Sequence, residues 1–155
     1  MKPSKVIFKL KEAIGLTVKD FEKIYALANY PISKEQIEAI IAKPNKKRFK
    51  EATYEELGVF LDGLFEYKRG EKPKNISDDE IELNNNLILK KIRSAFRLKD
   101  IEIEIIFKLA DREISKSKIK DLFRNPNHPK FQECDDALLN DFLIGFDEFM
   151  YGVDS

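Results

Sequence analysis

The chain has 155 residues, the size of one domain or two very small ones, and its 43% hydrophobic content with 12 Phe can fill a core and excludes a disordered chain. Its 28 basic and 28 acidic residues cancel, so attraction to nucleic acid or an anionic membrane would have to come from a local patch. The lone Cys134 excludes an internal disulfide, MKPSKVIFKLKEAIG lacks a signal-peptide apolar block, and no apolar run approaches the ~20 residues of a membrane span; a cytoplasmic setting with no membrane partner is the default.

The elements come in two copies. Residues 5–70 align with 87–152 at a constant offset of 82, without gaps, with 21 identities in 66 pairs. Apolar residues recur at spacings of three and four throughout, so the expected fold is all-α: two tandem four-helix units related by approximate twofold symmetry. The boundaries are 1–70 for the first unit, 71–86 for a connector and 87–155 for the second, packed together as one domain. EKPKNISDDEIELNNN reads as the connector from its proline, acidic run and asparagines.

The first helix of each unit is expected to be capped by Ser4 or Asn86 and to carry Val6, Ile7, Leu10 and Ile14, or Ile88, Leu89, Ile92 and Phe96, as one apolar stripe. The second runs from about Thr17 to Ala28 and from about Lys99 to Ala110, with Ile24/Ile106 and Leu27/Leu109 inward, and Asn29 and Asp111 stand where the chain leaves it. The third starts at Ser33 and Ser115, Ser33 making a capping box with Gln36, and buries Ile37, Ile40 and Ile41, or Ile119, Leu122 and Phe123. Pro44 and Pro126 end it, and a loop follows whose Phe49 or Phe131 is expected to anchor in the core. The fourth opens at Thr53, boxed by Glu56, or at Asp135, and buries Leu57, Phe60, Leu61 and Leu64, or Leu139, Phe142, Leu143 and Phe146. Gly63 and Gly145 inside it cost roughly 1 kcal/mol each relative to alanine, which points to a close approach of the two fourth helices to each other, or of a fourth helix to a neighbour.

LNNNLILKKIRSAFRLKD, FQECDDALLNDFLIGF and LDGLFEYKRG, with the asparagine run before the second unit and an F-L-x-G-[LF] ending in each, resemble the YehS-like family of bacterial proteins, a domain of unknown function built from the same tandem unit. The resemblance covers essentially the whole chain and departs at Met150-Tyr151-Gly152, where the first unit has Lys68-Arg69-Gly70. It implies a bacterial cytosolic protein and carries no activity, substrate or catalytic residue with it.

Chemistry is sparse. Cys134 and His128 are the only nucleophile–base candidates, and the first unit has Ala52 and Lys46 in their places. One His and one Cys cannot build a Cys/His metal site, the acidic run at Asp78, Asp79, Glu80 and Glu82 lacks a calcium loop's glycine, and no glycine-rich phosphate loop is present. No catalytic residue, cofactor or metal site is therefore assigned. The second and third helices resemble a helix-turn-helix in hydrophobic spacing. The third helix of the second unit points Ser117, Lys120, Asp121 and Arg124 outward, against Glu35, Glu38, Ala39 and Ala42 in the first. Candidate contacts with nucleic acid or a partner are Lys46, Lys47, Arg48, Lys118, Lys120 and Arg124. The reading is a non-enzymatic interaction or adaptor module with an unknown protein partner, homo-oligomerisation being compatible with it; the alternative is a nucleic-acid-binding or regulatory protein.

Overall fold

A computed structural model describes residues 1–74 and 82–154, and the acidic run at Asp78, Asp79 and Glu80 lies outside them. The described residues form helices and no strand: α1 (Pro3–Ile14), α2 (Val18–Leu27), α3 (Lys34–Ile41), α4 (Tyr54–Arg69), α5 (Asn85–Phe96), α6 (Asp100–Leu109), α7 (Lys116–Leu122) and α8 (Asp136–Asp154). The protein is all-α, with four helices on each side of the connector.

Local chemistry explains the ends. Thr17, Ser33 and Thr53 each accept from the backbone N–H three residues on, while Asp20, Gln36 and Glu56 reach back to the cap N–H, giving α2, α3 and α4 complete capping boxes. In the second unit Ser115 caps α7 and Asp135 caps α8 through the Leu138 N–H at 2.7 Å. Both units leave their first and second helices through a left-handed residue at the same repeat position: Gly15 and Arg97 after the first, Asn29 and Asp111 after the second.

The helix contacts fix how the units meet. Within a unit the second helix packs on the third and fourth, and between units α1 lies on α8 while α5 lies on α4. A translational stack would bring α4 to α5 but leave α1 and α8 apart. The α1–α8 contact closes the exchange, which is the signature of a twofold.

One core spans both units, from Val6, Ile7, Leu10, Phe21, Ile24 and Tyr25 through Phe60, Leu61 and Leu64 to Ile103, Ile106, Phe107, Leu139, Phe142 and Phe146, all essentially inaccessible. Tyr25 meets Phe60, and its repeat mates Phe107 and Phe142 meet edge to face with ring centroids 5.6 Å apart. The Tyr25 hydroxyl donates to the Glu56 carbonyl at 2.9 Å, which satisfies its polar atom inside the core.

Several expectations are corrected. Ser4 and Asn86 are not N-caps: α1 begins with Pro3 after Lys2, and Asn84 caps α5. As the second residue of each helix, they use their side chains to hold the loop before the fourth helix. Ser4 Oγ accepts from the Ala52 N–H, and Asn86 Oδ1 accepts from the Cys134 N–H, the same pair of repeat positions. Leu109 is exposed and Leu27 half-buried, because the inward face of α2 and α6 is set by Phe21, Ile24 and Tyr25, or Ile103, Ile106 and Phe107. Phe123 is half-buried beneath the Arg93 guanidinium. Phe49 and Phe131 are half-buried and take no part in the core; the loop is anchored instead by buried Ala52 and Cys134.

The glycines do mark close approaches, and the partner is the second helix of the same unit. A Cβ on Gly63 would collide with the Ile24 carbonyl oxygen and lie 2.8 Å from Ile24 Cγ2, while one on Gly145 would collide with the Ile106 carbonyl oxygen and lie 2.8 Å from its carbon. Gly58, in the same helix as Gly63, has ordinary room at 3.9 Å from Leu83. Gly58→Ala is therefore expected to raise stability by up to about 1 kcal/mol through helix propensity. Gly63→Ala and Gly145→Ala should each lower it by about 2 kcal/mol or more, because backbone must move. Thermal melts of the three variants test this; equal melting temperatures would refute the close-packing account.

Candidate functional site

Two surfaces depart from what the shared scaffold needs. The first is the loop between α3 and α4. Its backbone is repeated bond for bond between α7 and α8: Lys46 N–H to the Lys43 carbonyl is matched by His128 to Asn125, Phe49 to Lys46 by Phe131 to His128, and Lys50 to Ala39 by Gln132 to Asp121. The side chains differ. Lys43, Lys46, Lys47, Arg48 and Lys50 are exposed, and their repeat mates are Asn125, His128, Pro129, Lys130 and Gln132.

The fold adds cations to this loop that sequence reading missed. The Ser4 N–H donates to Glu51 at 2.7 Å and Ser4 Oγ accepts from Ala52 at 2.6 Å, so the start of α1, with exposed Lys2 and Lys5, lies against the loop. The signal was available in the repeat, since the mates of Lys2 and Lys5 are Asn84 and Leu87. Between them runs a cleft of about 720 Å³ lined by Lys2, Lys5, Phe8, Pro44, Phe49 and Asn140, among others. Arg48 also pairs loosely with Glu38 at 3.5 Å.

The basic residues of α7 do not join into a reading head. Lys118 and Lys120 are exposed, but Arg124 is turned back on Asp121 at 2.7 Å and onto His128 at 3.3 Å. Helix α7 has only seven residues and follows α6 after residues 110–115, a longer turn than a helix-turn-helix uses. In the first unit the expected outward Ala42 is buried.

The second surface is the outer side of α6. Ile101, Ile105 and Leu109 are 53%, 41% and 37% exposed, and a spacing of four sets them in one stripe about 12 Å long. Their mates on α2 are Lys19, Lys23 and Leu27, so packing does not require isoleucine there. Comparing the copies position by position would have revealed this stripe.

Cys134 and His128 are not assembled for catalysis. Cys134 is buried, its thiol pointing to the Asp135 carbonyl at 3.5 Å, and burial, then the nearby Asp135 and Asp136 charges, push it up to about 12. Exposed His128 accepts the Lys130 N–H at Nδ1, 3.0 Å away. Among the described residues no group of three or more His, Cys, Asp or Glu could hold a metal ion, and no helix is long and apolar enough to cross a membrane.

A family model described as "Protein of unknown function (DUF1456)" matches residues 5–70 and again 85–151. The chain belongs to this family. Its two matched segments coincide with the two four-helix units of the fold. The chain is also similar to the uncharacterized protein YehS of Escherichia coli (strain K12), 35% identical over 127 residues that cover 81% of each chain. No solved structure matches. Membership of the family brings no activity with it.

Two outcomes follow from this geometry. Asn86→Ala removes three bonds, to the Leu122 and Gln132 carbonyls and to the Cys134 N–H, where Ser4→Ala removes one, to the Ala52 N–H, and should destabilise more, a hydrogen bond contributing about 0.5–1.5 kcal/mol; urea titration orders them. Cys134 should resist alkylation at pH 8 until the chain unfolds. Its folded pKa is raised, so its contribution to stability is intact below the unfolded thiol's pKa of ~8.5 and is lost as pH rises toward 12. Cys134→Ala, which copies Ala52, should reduce that alkaline loss.

Proposed function

We propose that the chain is a non-enzymatic interaction module that works by pairing, with the outer face of α6 as its docking face. The observation that carries this reading is the exposed apolar Ile101–Ile105–Leu109 stripe, in which Ile101 and Ile105 stand where the equivalent helix bears Lys19 and Lys23 and only Leu109 keeps its mate's leucine. An apolar stripe that the core does not use loses free energy in water and gains it on docking.

The charges at the ends of α6 favour a second copy as the occupant. Asp100 is paired with Arg93, Glu102 caps the Lys99 N–H and Arg112 is paired with Asp141, which leaves exposed Arg97 and Lys99 before the helix and exposed Asp111 and Glu113 after it, with Lys108 the one exposed cation in its last turn. An antiparallel pair of α6 helices sets the basic end of one against the acidic end of the other and opposes their dipoles, whereas a parallel pair sets like against like.

Ile101→Lys with Ile105→Lys is the decisive variant, because it installs the residues that α2 carries at the same positions and should leave the melting temperature nearly unchanged at low concentration, where the wild-type chain is unpaired. Sedimentation of the wild-type chain is expected to show twice the chain mass at high concentration, and the double variant only the single mass. Arg97→Glu should weaken the pair and Glu113→Arg should restore it. A single-chain mass at every concentration, or a pair that the double variant leaves intact, overturns the reading.

A further inference from the structure

The structure assigns a second, separate binding site to the end of the molecule where α1 begins: a groove for single-stranded nucleic acid, with the cations of the α3–α4 loop on its phosphates and Phe49 beneath a base. Seven cations lie on two short segments that the fold brings together, Lys2 and Lys5 on one, and Lys43, Lys46, Lys47, Arg48 and Lys50 on the other. In the second unit, on a loop with the same backbone bonds, the equivalent positions hold a single Lys, at 130, with His128 and otherwise neutral residues. The charge is therefore no requirement of the loop. In a chain whose charges sum to zero, it is a local concentration of the kind that tracks a phosphate backbone.

The cleft between the segments supplies what a phosphate alone would not need. Its apolar wall comprises Phe8, Ala42, Pro44, Phe49 and Ala137, with the Asn140 amide beside it, whose Oδ1 is buried without a hydrogen-bond partner. Phe8 already carries the Lys11 ammonium 5.6 Å from its ring centroid, which leaves Phe49 as the stacking platform. Cations flanking an accessible aromatic ring are how unpaired strands are held, base on ring and phosphate on lysine. A duplex keeps its base faces stacked inside and cannot use the ring.

Three carboxylates stand near this groove, and each is engaged. Glu51 accepts the Ser4 N–H. Asp136 accepts from the Asn85 amide and then from the Met1 amine, contacts that hold its carboxyl below the usual range, and Glu38 faces Arg48. Glu51 and Asp136 line the cleft and Glu38 sits on α3, so the seven cations outnumber the carboxylates that face them.

The test is fluorescence anisotropy with a labelled oligothymidylate of about 12 nucleotides, a duplex of the same length, and unlabelled polyphosphate and polyglutamate as competitors. Salt-sensitive binding of the single strand is expected, tighter than that of the duplex. The variant Lys2→Asn/Lys43→Asn/Lys50→Gln uses residues that the second unit carries, so it should fold. It should weaken binding about tenfold at 50 mM salt and lower the salt slope by about 2. Phe49→Ala, checked by its melting temperature, should weaken the oligonucleotide and leave polyphosphate unchanged. Ile101→Lys/Ile105→Lys should not affect binding, which separates this site from the pairing face. The inference is overturned if the single strand shows no salt-sensitive binding, if the duplex binds as well, if polyphosphate or polyglutamate competes more strongly than unlabelled oligonucleotide, or if Phe49→Ala changes nothing.

Discussion

The architecture depends on burial that neither four-helix unit can complete alone. A unit of about 66 residues is of marginal size for its own core, and its fourth helix is apolar over more of its circumference than the second helix covers. The remainder is covered by the first helix of the other unit, α1 on α8 and α5 on α4. Because the exchange is reciprocal, each unit completes the other and the core is continuous. The contact between helix four and helix two can be this close only because Gly63 and Gly145 present no side chain to the Ile24 and Ile106 carbonyls.

Duplication gives the chain an internal control. Wherever the two copies agree, in the caps, the left-handed exits, the glycines and the pairing of position 4 or 86 with 52 or 134, the agreement has a packing or hydrogen-bonding reason. Wherever they differ at exposed positions on the same backbone, the scaffold has no stake in the difference. Lysines on one loop and isoleucines on one helix are differences of this kind, and they fall in different units, so the molecule is symmetric in its core and asymmetric on its surface.

That asymmetry also bears on Cys134. Its mate is Ala52, so the site calls for a small buried side chain and the sulfur is incidental to packing. Burial keeps the thiol protonated and out of reach, and the His128 beside it in sequence is spent on its own loop. A nearby histidine in the sequence is no catalytic pair when one partner turns into the core and the other to solvent.

By itself the sequence determined the number and type of the helices, most of their caps, the apolar stripes and the two crowded glycines. Each of these rests on residues a few positions apart, where spacing and capping chemistry act within one helix. It misassigned Ser4, Asn86, Leu109, Phe49 and Phe131 because their environments come from segments about 40–50 residues away, or from which neighbours win the space at a crossing. Only the tertiary structure decided that the units exchange their first helices, since a repeat in sequence is equally compatible with a translational stack. It alone brought Lys2 and Lys5 to the basic loop and left the Ile101–Leu109 stripe uncovered, because exposure is a property of what packs against a residue and not of the residue.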